Sequence, residues 1–145
     1  MPPPFRYRSE TTIAAPPETV WRILTDPHRL ATPEFGILAL SGAIRPGGRL
    51  RLRSAAAPTS TFRLRVDTVD RPREMVWVGG MPFGLFTGRR VFTLTPAAGA
   101  TRFVLQEDYT GALAARIFPK IPDLSASFQT FAVGLKATSE RELAA

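Results

Sequence analysis

The chain has 145 residues, a length that suits a single domain with one continuous core, and its 44% hydrophobic and 21% charged residues argue against wholesale disorder. Absence of cysteine excludes disulfide scaffolds and thiolate metal sites, and a single histidine excludes a multi-histidine metal centre. The net charge of +7 is carried almost wholly by arginine, only Lys120 and Lys136 being lysines, so charge alone does not imply an anionic partner.

The start, Met1-Pro2-Pro3-Pro4-Phe5, lacks the basic and apolar stretches of a signal peptide, and no run approaches the roughly 18 apolar residues of a membrane span. A cytoplasmic protein without a membrane span is therefore expected. From Phe5 to Ile13 apolar or small residues hold the odd positions and Arg6, Arg8, Glu10 and Thr12 the even ones, which predicts a half-buried strand. Pro16-Pro17-Glu18 then begins a short helix, because proline lacks the amide that a first turn leaves unpaired and an acidic side chain suits the positive helix end. Val20, Trp21, Ile23 and Leu24 form its apolar side, and a second helical turn spans His28 to Leu30 before Pro33 and Gly36 close it.

From Ile37 to Thr110 strands alternate with turn signals, Pro46-Gly47-Gly48 being the clearest. Leu50, Leu52 and Ser54 alternate with Arg49, Arg51 and Arg53, and Phe62, Leu64 and Val66 with Arg63, Arg65 and Asp67, so each strand has a dry and a wet face. Pairing these two strands places Arg51 near Arg65 and Arg53 near Arg63 on the outer face. Met75 to Gly80 continues the meander with Trp77 turned inward. Arg89 to Thr95 and Thr101 to Tyr109 flank a turn at residues 96–100. If Leu94 faces Phe103 and Phe92 faces Leu105 across that turn, Arg90 lies opposite Glu107 on the apolar side, with Tyr109 adjacent. A charge there needs a partner, so Arg90 and Glu107 are expected to pair, either as a structural ion pair at the sheet's end or as a handle for ligand.

Asp123 offers a cap for a terminal helix over approximately Leu124 to Glu142, with Leu124, Phe128, Phe131 and Leu135 on one side. Strand, two short helices, about six strands and a long helix is not a βαβ alternation; it predicts an α+β fold with an antiparallel sheet. This order, with Ile13-Ala14-Ala15-Pro16-Pro17-Glu18-Thr19-Val20-Trp21 and Leu24-Thr25-Asp26, resembles the opening of the SRPBCC (START-like) superfamily. Val91 to Pro96, Gly99 to Val104 and Glu107-Asp108-Tyr109-Thr110-Gly111 are similar to the last two strands of its bacterial, polyketide cyclase/dehydrase-like members. The resemblance covers roughly residues 5 to 143. It implies a helix-grip fold, in which a curved sheet of six or seven strands wraps around the C-terminal helix and leaves a cavity between them.

No catalytic constellation is evident. His28 sits beside Asp26-Pro27 at a helix end, where it reads as a surface or capping residue, and Arg45-Pro46-Gly47-Gly48-Arg49 lacks the end of a phosphate loop. No cofactor and no metal are expected. The outer arginines lack interleaved aromatics, so a solvated face rather than a nucleic-acid site is expected. Gly79 to Phe86 joins two strands with apolar residues, Phe83 and Phe86 serving either as core plugs or at a cavity mouth.

The expected function is binding of an apolar or aromatic small molecule, lipid or polyketide-like, with Phe62, Trp77, Phe92, Phe118, Phe128 and Phe131 bordering the cavity and Arg90, Glu107 and Tyr109 as polar contacts. The resemblance also admits a cyclase/dehydrase-type enzyme and a protein-interaction module of the kind that stimulates a chaperone ATPase.

Overall fold

In the computed structural model, which describes residues 5–144, the first alternating segment forms β1 (Arg6–Ile13), burying Ser9 and Ile13 while Arg8, Glu10 and Thr12 face water. Helix α1 (Pro17–Leu24) starts on its prolines and buries Val20, Trp21, Ile23 and Leu24. Asp26 caps α2 (Pro27–Leu30), its side chain accepting from the His28 amide at 3.0 Å, and the His28 side chain is exposed.

Six strands follow: β2 (Ile37–Gly42), β3 (Arg49–Ser54), β4 (Phe62–Asp70), β5 (Glu74–Gly80), β6 (Thr87–Ala97) and β7 (Ala100–Thr110). They pair antiparallel with β1 in the order β1-β7-β6-β5-β4-β3-β2, a seven-stranded curled sheet. The chain then forms α3 (Ala114–Ile117) and the long α4 (Ser125–Ala144), whose first amide, that of Ser125, donates to Asp123 Oδ1 at 2.9 Å. This is the expected helix-grip arrangement. The concave face contributes Leu50, Leu52, Val66, Met75, Trp77, Phe92, Leu94, Phe103 and Leu105 to a core completed by Phe128, Phe131 and Leu135 of α4.

The last hairpin turns on Ala98 (φ 51°) and Gly99 (φ 85°), two left-handed residues suited to the twist of a two-residue hairpin. This short turn sets Leu94 against Phe103, Phe92 against Leu105 and Arg90 against Glu107. The β3–β4 register departs from expectation by two residues: Arg49 faces Arg65 and Arg51 faces Arg63, while Leu52 faces Phe62. Its cause is the longer turn between Ser54 and Phe62, where the Ala57 amide donates to Ser54 O and that of Ser60 to Ala57 O. A bulge between Val66 and Thr68 shifts the parity of β4, so that Val69 also packs on the core.

Helix α4 lies close to the turn before β2 because residue 134 is glycine. A Cβ at Gly134 would stand 2.4 Å from the Glu34 carbonyl oxygen, a backbone atom that cannot swing aside. Alanine in a helix interior normally gains about 1 kcal/mol over glycine. Gly134→Ala is nonetheless expected to lower stability in urea unfolding, because overpacking costs about 1–3 kcal/mol.

Candidate functional site: a cavity between the sheet and helix α4

The pairing of the strands explains why the core is not filled. One inner row across the sheet runs Val66, Trp77, Arg90, Glu107 and Tyr7. The next runs Leu64, Gly79, Gly88 and Tyr109, so two glycines stand opposite each other and add no side chain to the inner face there. A cavity of about 430 Å³ lies over them, within the size range of small-molecule sites. Phe128 and Phe131 face it from α4, Phe62 stands on its wall from β4, and Ile121, Pro122 and Leu124 border it ahead of the helix.

Its polar groups come from β6 and β7. Arg90 Nε donates to Glu107 Oε1 at 2.5 Å, and the Arg90 guanidinium carbon sits 4.9 Å from the centre of the Phe128 ring, a cation–π contact. Both side chains are largely withdrawn from water, at 19% and 11% exposure. The terminal guanidinium nitrogens of Arg90 make no hydrogen bond among the described residues, and the Trp77 indole Nε1 is buried without a partner. Gly88 allows the crowding on β7, because a Cβ there would lie 3.0 Å from Glu107 Oε2 and 3.2 Å from Tyr109 Cε1. The Tyr109 ring stacks on Phe86 with centroids 5.5 Å apart.

Burial first, and the neighbouring Glu107 carboxylate second, push the Tyr109 phenol well above its ordinary range, so it faces the cavity as a neutral hydroxyl. A folded-state value above the unfolded one stabilises the fold fully below the unfolded pKa of about 10, and this contribution is lost as pH rises toward the folded value. Ultraviolet titration should accordingly show one phenol resisting ionisation until the protein unfolds, and Tyr109→Phe should remove that step.

Of the residues named from sequence, Phe62, Trp77, Phe128 and Phe131 stand on the cavity wall, as do Arg90, Glu107 and Tyr109. Phe92 does not: it is fully buried beneath the wall, 4.7 Å from the Trp77 ring and 5.9 Å from that of Phe131. Phe118 also lies off the wall, in a separate cluster with Phe5, Tyr7 and Tyr109 at ring distances of 5.2–5.3 Å. The apolar loop divides, Phe86 lining the cavity while Phe83, 96% exposed, plugs nothing. Sequence reasoning passed over Gly79 and Gly88, although glycine inside a strand is itself a sign of close approach. Among the described residues no cluster of three or more His, Asp or Glu side chains is arranged to hold a metal ion.

The model of the family described as Polyketide cyclase / dehydrase and lipid transport matches residues 4–140. No curated protein matches the sequence. Among solved structures, protein MLL2253 from Mesorhizobium loti superposes with a TM-score of 0.73 at 20% identity, covering 94% of this chain and 97% of that one. The Zhui aromatase/cyclase from Streptomyces sp. R1128 gives 0.73 at 19% identity, with 95% and 94% covered. DynU16, from the dynemicin biosynthetic locus, gives 0.67 at 23% identity over 98% of this chain, which spans only 48% of that protein. At these identities the likeness is one of fold.

Proposed function

The chain belongs to the Polyketide cyclase / dehydrase and lipid transport family, and from that premise we propose that it binds an apolar or aromatic small molecule carrying an oxygen function, held between the sheet and α4. The observation that carries this reading is the union of an apolar cavity with hydrogen-bond donors that have no protein partner. Arg90 borders this space, and its terminal guanidinium nitrogens make no hydrogen bond among the described residues. A pure hydrocarbon would leave them unsatisfied, and an unmade buried hydrogen bond costs about 1–3 kcal/mol. A ligand carbonyl, carboxylate or phenol oxygen removes that cost, while aromatic contacts with Phe128, Phe131 and Phe62 take up its apolar body.

A cyclase-type reaction is the second reading. It is favoured by the Tyr109 hydroxyl and the Glu107 carboxylate standing on one wall, a hydrogen-bond donor and an acceptor placed to orient a substrate oxygen. Zhui carries the description aromatase/cyclase, and the fold is shared with it.

Binding is read from the fluorescence of Trp77 in a Trp21→Phe background, since Trp21 is the other tryptophan. Polycyclic aromatics bearing a carbonyl or phenol are expected to quench it and to bind about tenfold more tightly than hydrocarbons of the same size. Displacement of an environment-sensitive dye by no fatty acid, sterol or polycyclic aromatic would remove the basis of this reading. Chemical conversion of a bound poly-β-ketone, lost in Tyr109→Phe with binding retained, would establish the second.

A further inference from the structure

The loop between β5 and β6 puts its apolar residues in water. Phe83 is 96% exposed, Met81 42% and Leu85 37%. Phe83 also holds a left-handed backbone (φ 62°, ψ 22°), a conformation that bulky residues seldom adopt and that asparagine or glycine would take at lower cost. Neither core packing nor turn chemistry accounts for a phenylalanine at this tip.

Its surroundings supply a second feature. Arg49, Arg51, Arg63 and Arg65 line a depression on the outer sheet face that Gly80, Met81 and Thr87 close on the loop side. The register sets these arginines directly against one another, Arg49 with Arg65 and Arg51 with Arg63. Like charges so paired destabilise a sheet. Arg65 has a partner, Asp67 at 3.0 Å; Arg49, Arg51 and Arg63 have none among the described residues. Arg63 and Gly80 border the cavity as well as the depression, and the tip follows Gly80 directly, so cavity and arginine cluster both lie near the start of the loop.

We propose that the 81–85 tip and the arginine-lined depression beside it form a docking surface for an anionic lipid bilayer. A bilayer surface offers both complements at once: phosphate groups at the level of the arginines and an acyl boundary into which Phe83, Met81 and Leu85 insert. An acidic protein would satisfy the arginines but would need a pocket shaped to Phe83, whereas a bilayer takes up a convex apolar tip without one. The attachment is peripheral, no helix among the described residues being long and apolar enough to cross a membrane. It places the mouth beside Phe62, itself 44% exposed, next to a phase in which apolar ligands dissolve. The proposal does not depend on which ligand the cavity takes.

The test is co-sedimentation of the full chain with vesicles of phosphatidylcholine alone and of phosphatidylcholine mixed with phosphatidylglycerol. Binding is expected to the anionic vesicles only and to weaken as salt is raised. Phe83→Asn should weaken it about tenfold, from the apolar area withdrawn, and Arg49→Ser or Arg63→Ser about fivefold each. Leu143→Asn, an exposed substitution at the end of α4, should leave it unchanged. Thermal unfolding of each variant verifies that it is folded. Absence of binding to anionic vesicles overturns the proposal. So does binding that the arginine variants lose and Phe83→Asn retains, a result that would leave electrostatic attachment by the arginines alone and remove the 81–85 tip from the docking surface.

Discussion

Arg90→Met is expected to lower stability by about 3 kcal/mol in urea unfolding, because it strands the Glu107 carboxylate on an apolar wall without its cation. Glu107 is 8% exposed, and Arg90 is its only ion-pair partner among the described residues. The effect stays near the lower end of the range for a broken buried pair because a cavity of this size admits water that partly rehydrates the carboxylate. Loss of the guanidinium over the Phe128 ring adds about 0.5–1 kcal/mol. Glu107→Gln keeps an acceptor for Arg90 Nε and is expected to cost less. The double variant Arg90→Met/Glu107→Leu should recover most of the loss, since a buried pair and a well-packed apolar pair are often nearly equivalent in stability. That recovery makes the double variant the test of function: folded protein with altered selectivity for oxygen-bearing ligands assigns the pair to ligand orientation, and unchanged selectivity assigns it to structure alone.

The Arg90–Glu107 pairing was legible in the sequence because both strands of the last hairpin alternate cleanly and the turn between them is short. A slip of one residue would have set Phe92 and Leu94 on the opposite face from Phe103 and Leu105, and the short turn leaves no room for a slip of two, so pattern and turn together admitted one register. The β3–β4 pair shows where the same reasoning stops. A slip of two residues keeps Leu50, Leu52 and Leu64 on the dry face, and a period of two cannot detect it; only the turn at residues 55–61 decides. The helix boundary was visible through the Asp123 cap. The closeness of α4 to residue 34 was not, because Gly134 matters only against a carbonyl that lies a hundred residues earlier in the chain.

The cavity was legible through the side chains that line it and not through those whose absence makes it. Phe62, Trp77, Phe128 and Phe131 announce themselves as large apolar residues on inward faces, but so does Phe92, which the fold spends on packing beneath Trp77. Aromatic character alone does not separate wall from core. The deciding feature is the pairing of Gly79 with Gly88, which depends on the β5–β6 register across the six-residue apolar loop at 81–86. Phe118 follows the same rule: as aromatic as the wall residues, it packs on Phe5, Tyr7 and Tyr109 and does not line the cavity.

Removal of residues 123–145 is expected to abolish cooperative folding altogether. Helix α4 is the cover of the concave face, and Phe128, Phe131 and Leu135 are each at least 95% buried there. At about 2–3 kcal/mol for each such side chain, their loss removes about 6–9 kcal/mol, which equals most of the 5–15 kcal/mol by which a domain is stable. The deletion also breaks the links that hold the helix across the molecule: Ser9 Oγ to Gln129 at 3.0 Å, the Ala14 amide to Glu140 at 2.8 Å, and Thr138 to Glu34 at 2.6 Å. What remains is a sheet whose inner face presents Trp77, Phe92, Phe103 and Leu105 to solvent, with only the short helices α1, α2 and α3 left. Such a surface collapses or aggregates; it does not melt in one transition. Removal of residues 143–145 alone, where Leu143 is exposed and Glu142 still meets Arg29, should leave the cooperative transition in place. Far-ultraviolet circular dichroism during urea unfolding separates the two truncations, and a sigmoidal transition in the longer one would show that the sheet stands without the helix it grips.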